Sequence, residues 1–393
     1  MIHTVGKLIE VLALVGTIAG VSYYLLSLWS AAAYLRYRHT VSSSVSPQVS
    51  APPVSILKPL KGVDPEIYEC FRTHCLQDYP QYEIIFGVSE ADDPAAQMVQ
   101  RLQQEFPQCA IQLVVCSQRL GANTKVSNLV QMLRVARYGN LIVNDSDIRV
   151  ERDYLRRVMA PLAEENVGMV TCLYRGIATR TLGSKLESIG ISTDFSAGVL
   201  VARCIERGVR FGLGSTLAFR RRELEAIGGF EAFVDYLADD YELGKDIAAS
   251  GLEVRLSEVV VETVLPPYDL RGFLEHQLRW ARSVRDSRRG GYFGLLLTFG
   301  FPWALVGLIA SRGAAWAWWL VALATSLRLL MAWVIGGIVI RDRQLPSLLP
   351  LIPLRDIVAV LVWLGSFGSD TIAWRGDSFV LKDGKLVRTS PPG

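Results

Sequence analysis

Apolar residues fall into two patterns along this chain. Towards both ends they form long runs almost free of charge. Between about Val54 and Glu262 they form short runs separated by polar turns. Val11–Tyr34 carries no charged residue and is long enough to cross a bilayer. It is too long for a secretory signal peptide, and no A-x-A-like cleavage site follows it. Gly291–Ser311 is a second uncharged stretch, and Gly313–Ile340 is a third, interrupted only by Arg328. Leu345–Ser369 is a fourth apolar region, split by Arg355-Asp356. Arg328 inside a span needs a partner, or must snorkel to a headgroup.

The middle of the chain alternates two periods. Val54–Leu57, Tyr82–Val88, Ile111–Val115 and Leu141–Val143 read as buried strands. Between them lie helical patterns over Pro65–Leu76 with Asp64 as cap, Pro94–Glu105, and Gly121 to Ala136. Strand–helix alternation predicts a doubly wound α/β sheet. Further on, Val167–Thr171, Val254–Leu256 and Val259–Thr263 read as strands, and Tyr236–Ser250 and Phe273–Arg289 as helices. The second of these helices bears five arginines. Asp383-Gly384 between apolar runs is a hairpin signal. Neither G-x-G-x-x-G nor G-x-x-x-x-G-K-[ST] occurs, which argues against dinucleotide binding and P-loop NTP hydrolysis.

Charge adds orientation. The net charge of +3 is small and gives no reason to expect a nucleic-acid partner. Arg36, Arg38 and His39 follow the first apolar run, whereas only His3 and Lys7 precede it. The positive-inside rule then puts the globular part in the cytosol. Three full spans leave Arg341 and Arg343 inside as well. A fourth would carry Arg375, Lys382, Lys385 and Arg388 outward, so Leu345–Ser369 is expected to dip in and return as a re-entrant pair. The six cysteines form no C-x-x-C and read as reduced core residues.

Candidate chemistry centres on Leu141-Ile142-Val143-Asn144-Asp145-Ser146-Asp147. An apolar strand runs there into two carboxylates one residue apart. Ligands of open α/β sheets bind beyond the carboxyl ends of the strands. Asp145 and Asp147 are so placed to hold Mg²⁺ or Mn²⁺ with phosphate oxygens and water; a polar turn closed by an Asx bond is the alternative. Asp92-Asp93 follows the second strand, where Asp93 also suits a helix cap before Pro94. Asp239-Asp240 opens a later helix, as a catalytic pair or as two acids at a helix N-terminus. Lys125 and Asn128 lie near a helix start, where anions bind, although Asn128 reads as a surface residue. His276, Arg279 and Trp280 sit on the arginine-rich helix, suited to a diphosphate or to a membrane surface.

Taken in order, these features resemble the D, D, D, (Q/R)-x-x-R-W signature of lipid-directed and processive glycosyltransferases. The closer resemblance is to the ceramide glucosyltransferase-like family (family 21), which includes bacterial relatives associated with hopanoid biosynthesis. It is carried by Leu57-Lys58-Pro59-Leu60-Lys61-Gly62-Val63-Asp64-Pro65, Asp78-Tyr79-Pro80, Asp92-Asp93-Pro94-Ala95, Lys125-Val126-Ser127-Asn128-Leu129, Asp145-Ser146-Asp147-Ile148-Arg149-Val150, Asp239-Asp240-Tyr241 and Arg279-Trp280. His276 departs from the family's Gln or Arg. The resemblance implies a GT-A fold with transmembrane helices, one N-terminal and two to four C-terminal. It implies inverting transfer of a hexose, glucose or N-acetylglucosamine, from a UDP-sugar to a hydroxyl of a membrane lipid, ceramide or a hopanoid polyol. In it Asp240 is the base, Asp145 and Asp147 hold the metal, and Asp92, Asp93, Lys125, Asp145, His276, Arg279 and Trp280 face the donor. The expected layout is an anchor over 1–39, a linker over 40–53, a cytosolic catalytic domain over 54–290, membrane or re-entrant helices over 291–370, and a short tail with a hairpin over 371–393. A bacterial inner membrane is the expected location. A processive polysaccharide synthase is the competing enzyme reading, disfavoured by the small number of spans and by His276. A binding protein with structural carboxylates is the non-enzyme reading.

Overall fold

The computed structural model describes residues 2–44, 51–374 and 377–388. It divides into two compact units. One comprises residues 38–177, 205–266 and 384–393; the other comprises 1–37, 178–204 and 267–383. Residues 45–50 of the expected linker lie outside the described residues.

The first unit is built on an eight-stranded sheet. In chain order its strands are β1 (Val54–Pro59), β2 (Tyr82–Val88), β3 (Ala110–Val115), β4 (Asn140–Val143), β5 (Ile148–Arg149), β6 (Val167–Ile177), β7 (Leu217–Arg220) and β8 (Glu253–Val264). Their order across the sheet is β3-β2-β1-β4-β7-β6-β8-β5. The first four are mutually parallel, and every residue of β1 is buried, as expected for a strand covered on both faces. From β1 the chain winds outward through β2 and β3, then crosses back to place β4 on the other side of β1. The carboxyl ends of β1 and β4 therefore flank a topological switch point, where such sheets open a crevice.

Several local expectations change. β6 runs on to Ile177, well past Thr171, and β8 is one long strand with an irregular register against β6 rather than two short ones. The helix after β1 covers Ile67–Cys75 and is not capped by Asp64. Asp64 instead accepts a hydrogen bond from the Ser146 hydroxyl at 2.7 Å. Asp383 and Gly384 both have positive φ, as a type I′ turn requires. Residues just beyond them return to the loop ahead of Asp239. Leu237 N–H donates to the Gly384 carbonyl, and Leu386 N–H to that of Asp235.

The second unit is mainly helical, with one antiparallel strand pair, Thr371–Trp374 and Asp377–Lys382. Its first helix, Ile2–Ser44, runs on through residues that the sequence reads as extended linker, since lengthening a helix adds one bond per residue fixed. Leu182–Ile205 is helical and apolar enough to cross a membrane, although the sequence presents it as part of the globular middle. Small and hydroxylated residues mask it: Thr193 and Ser196 donate to backbone carbonyls within the helix, and Ser192 to Asp342. Gly291–Ser311 is not one straight span. Helices Arg289–Thr298 and Gly300–Ala310 meet at 55° around the non-helical Phe299, with Pro302 in the first turn of the second. This bent pair is a broken span or a re-entrant loop, whereas Leu345–Gly368, where the sequence suggests the re-entrant pair, is by itself long and apolar enough to cross. Both charges are buried within it, Asp356 paired with Arg328 and Arg355 donating to Gln277. Arg328 does not snorkel; it is buried against Asp356 and Asp194. Among the described residues, four helices can cross a membrane by length and composition, or five if the bent pair is one span.

Glycine lets the first helix approach Gly300–Ala310 closely. A Cβ on Gly20 would lie 2.1 Å from the Gly300 Cα, whereas one on Gly6 meets nothing within 4 Å. Gly20→Leu should lower stability by about 1–3 kcal/mol, as overpacking does, and Gly6→Leu should not. Thermal unfolding in detergent checks this; equal melting temperatures for the two variants would contradict the packing.

Candidate active site

The site is built where β1 and β4 end. Asn144 N–H continues the ladder to the Leu57 carbonyl, and the Asn144 side chain is buried, donating to the Ser215 carbonyl at 2.6 Å and to the Thr216 hydroxyl at 3.2 Å. This pins the turn that carries Asp145-Ser146-Asp147. Lys58, at the end of β1, is fully buried and donates to the Asp145 backbone carbonyl at 2.9 Å. Burial pushes the Lys58 ammonium down to about 8 despite the charges of Asp147 and Asp145. Sequence reasoning quoted Lys58 without giving it a role. A lysine one residue past a buried strand, aimed at a crevice, was the available signal.

Asp147 receives the Thr263 hydroxyl from β8. Its carboxyl is pushed up to about 6, first by burial and then by the charge of Asp145. A divalent cation would relieve that repulsion. Among the described residues no group of three His, Cys, Asp or Glu side chains gathers to hold a metal. Two carboxylates completed by phosphate oxygens and water are the usual Mg²⁺ arrangement, so the pair fits the ion.

Lys125 gathers the acids. Its ammonium lies 2.8 Å from Asp145 Oδ1 and 3.3 Å from Asp239 Oδ2. Asn123 caps the helix Thr124–Leu133 by accepting from Val126 N–H, and its amide donates to the Tyr236 carbonyl and to Asp239. The helix N-terminus thus fixes the start of the helix Asp239–Ala249. Burial disfavours the Lys125 charge, but Asp145, Asp239 and Asp240 outweigh it and hold its pKa above the ordinary lysine range. Asp239 is 7% exposed and its pKa is raised, mainly by burial, with Lys125 opposing. Asp240 is pushed up to about 6 by burial and then by Asp239. A Cβ on Gly214 would lie 3.0 Å from Asp145 Oδ2 and 3.1 Å from Asp240 Oδ2, so both carboxylates abut one glycine. Gly212 and Gly244 make this possible: a Cβ on Gly244 would lie 2.0 Å from the Gly212 nitrogen.

Other expected residues make contacts of their own. Asp93 is an N-cap, accepting from Ala95 N–H at 2.9 Å and from Gly62 N–H through both oxygens, while Asp92 is exposed. Asn128 is buried, not a surface residue, and accepts from the Ser89 hydroxyl. His276, Arg279 and Trp280 lie in the helical unit on the helix Leu270–Ser287. There His276 stacks on Tyr268, and Trp280 meets Phe195 edge-on at 6.2 Å.

Removing the lysine should expose how these charges depend on it. Lys125→Met leaves Asp239 buried without its cation, costing about 3–5 kcal/mol. The raised pKa of Asp239 means that the unfolded chain loses this proton first as pH rises. The melting-temperature deficit of Lys125→Met should therefore be larger at pH 8 than at pH 5. A deficit independent of pH would exclude this account.

Comparison with known proteins completes the assignment. Ceramide glucosyltransferase 3 of Caenorhabditis elegans is 26% identical over 69% of this chain and 58% of its own length. Ceramide glucosyltransferase 1 of the same organism is 24% identical over 88% of this chain and 75% of its own length. The chain thus spans less than two thirds of the first of these relatives and three quarters of the second. Among solved structures, a mannosyltransferase of Pyrobaculum calidifontis in complex with GDP-Man and Mn²⁺ superposes with a TM-score of 0.55. It shares 20% identity, with 92% of this chain and 98% of that one covered. That likeness gives the fold, a GT-A-like α/β domain accompanied by apolar helices that could span a membrane. The model of glycosyl transferase family 21 matches residues 12–387, and the chain belongs to that family.

Proposed function

We propose that this chain transfers a hexose, glucose or N-acetylglucosamine, from a UDP-sugar to a hydroxyl of a membrane lipid, ceramide or a hopanoid polyol, with inversion, at the cytosolic face of the membrane. The observation that carries this reading is the approach of Asp145 and Asp240 to Gly214, with Lys125 tied to Asp145 and Asp239. Inversion by one displacement needs one base for the acceptor proton. Asp240 suits that role, because a carboxyl titrating near 6 is ionised at neutral pH yet more basic than an ordinary aspartate. As the acceptor oxygen bonds to the anomeric carbon, Asp240 takes the hydroxyl proton and the anomeric C–O bond to UDP breaks.

The departing diphosphate needs positive charge around it. Lys125 supplies a fixed cation, and Asp145 and Asp147 are the residues that would hold Mg²⁺ or Mn²⁺, which when bound acts as a Lewis acid on the phosphate oxygens. The Mn²⁺ of the archaeal mannosyltransferase complex supports that choice. Asp92 and Asp93 are assigned to the nucleoside; Asp93 does so while capping its helix, so Asp92 has the freer carboxylate. For His276, Arg279 and Trp280 the motif alone supports donor contact, with Arg279 taking phosphate charge and Trp280 walling the sugar. The relatives support ceramide as one acceptor; the hopanoid alternative rests on sequence resemblance.

UDP release by purified protein in detergent tests the reading. Both UDP-sugars are offered against ceramide and a hopanoid polyol, with and without Mn²⁺. One pairing should give lipid-dependent release, and Asp240→Asn should reduce it by about 10²–10⁴-fold, the range for a general base. The wild-type rate should fall as pH drops through about 6, where Asp240 takes up its proton. Release that ignores both the lipid and the substitution would remove Asp240 from the mechanism.

A further inference from the structure

The helical unit encloses charged side chains among apolar helices. Arg328 is 3% exposed and donates to both oxygens of Asp356 at 3.1 Å, and to Asp194 Oδ1 at 2.5 Å. Arg355 is 7% exposed and donates through Nη2 to the Gln277 carbonyl oxygen at 3.0 Å. The Gln277 amide in turn donates to Glu187 at 2.8 Å. This network joins the helix that bears Arg279 and Trp280 to the π-helical segment Gly190–Phe195 and the helix Ile352–Gly365. π-helical turns recur at functional sites.

The network has a gap. Nε and Nη1 of Arg355 have no hydrogen-bond partner. Arg355 Nη2 and Asp194 Oδ2 stand 3.8 Å apart, too far for a direct bond and suited to a bridging group. Asp194 is the point where the network surfaces, its side chain 34% exposed. Trp280 packs against Phe195, the next residue. A buried guanidinium with unmet N–H groups is costly, so something accepts from it when the protein works. A hydroxyl fits the gap, donating to Asp194 and accepting from Arg355. An amide carbonyl satisfies the remaining N–H groups. An anion does not fit as well, because Asp194 and Asp356 already offset the two guanidinium groups, and Glu187, beside the Gln277 amide and 3.5 Å from His276 Nδ1, adds a third carboxylate.

We propose that Asp194 and Arg355, held by Glu187, Gln277, Arg328 and Asp356, receive the uncharged polar headgroup of the acceptor lipid, through its hydroxyl and amide groups. This rests on the lipid-transfer reading above and names where the acceptor is selected. Gly190 supplies a test that keeps the charges. A Cβ there would lie 2.6 Å from Arg355 Nη2 and 2.8 Å from Nε, displacing the guanidinium.

The experiment compares wild type, Arg355→Lys and Gly190→Ala in detergent. Binding of hexanoyl ceramide, of a hopanoid polyol and of a short-chain phosphatidic acid is followed by tryptophan fluorescence, alongside steady-state kinetics and thermal unfolding. An uncharged lipid should bind wild type more tightly than phosphatidic acid. Both variants should weaken that binding, and raise its KM, by about tenfold, the equivalent of about 1.4 kcal/mol. The KM for the UDP-sugar should hardly move, and both variants should still unfold in a single cooperative transition well above the assay temperature. Unchanged acceptor binding and KM in folded variants would leave a bridging water as the only occupant and overturn the proposal. Preferential binding of phosphatidic acid would overturn it too, in favour of an anionic lipid. Arg355-dependent binding without any lipid-dependent UDP release would instead defeat the transfer reading and leave the headgroup site standing.

Discussion

Like charges brought together without water repel, and this constraint shapes the α/β unit. Asp145 and Asp147, on the turn after β4, and Asp239 and Asp240, at the start of the helix Asp239–Ala249, lie about ninety residues apart in sequence, yet converge at one end of the sheet. Lys125 makes that convergence tolerable by pairing with one acid from each segment. Lys58 does so from below, through the Asp145 carbonyl. Residual repulsion and burial leave Asp147 and Asp240 titrating near 6. The same crowding that weakens the fold locally supports the roles proposed for Asp240 as base and for Asp145 and Asp147 as a cation pair.

The scaffold shows how such a cluster is built. Parallel strands buried on both faces fix β1 and β4 side by side, and their turns inherit that precision. Glycines then allow the second segment to close in. Gly212 and Gly244 touch backbone to backbone, and Gly214 leaves room for two carboxylates. The segment after Gly384 steadies the other side of Asp239 by binding Asp235 and Leu237. Each of these contacts positions a charge that its own local sequence would leave solvated.

The helical unit meets the same problem in apolar surroundings. Arg328, Asp356 and Asp194 come from three separate helical segments and neutralise one another where water is scarce. Removing one partner from such a set is far more costly than never having had it. That makes these helices a specified arrangement rather than interchangeable greasy spans. Nε and Nη1 of Arg355, and Nη1 of Arg328, are places where this arrangement is incomplete by itself.

Periodicity alone identified the alternating strands and helices of residues 54–143, because each element carries its own burial pattern. The D-x-D turn and the apolar runs at both ends were legible for the same reason: strand, turn and span are local properties. The ordered acidic motifs also pointed to the family that the full-length comparison established. Partners distant in sequence were not legible. Nothing near Arg328 announces Asp194 and Asp356, so snorkelling and pairing looked alike, and Arg355-Asp356 looked like a break. Leu182–Ile205 passed for globular sequence because of its serines and threonines, whose hydroxyls are satisfied by backbone carbonyls at Thr193 and Ser196 and by Asp342 at Ser192. Asn128 read as surface, and Lys58 had no role, until packing buried both. A sequence determines which groups must be satisfied; only the tertiary structure decides which distant groups satisfy them, because burial and pairing are properties of the neighbours.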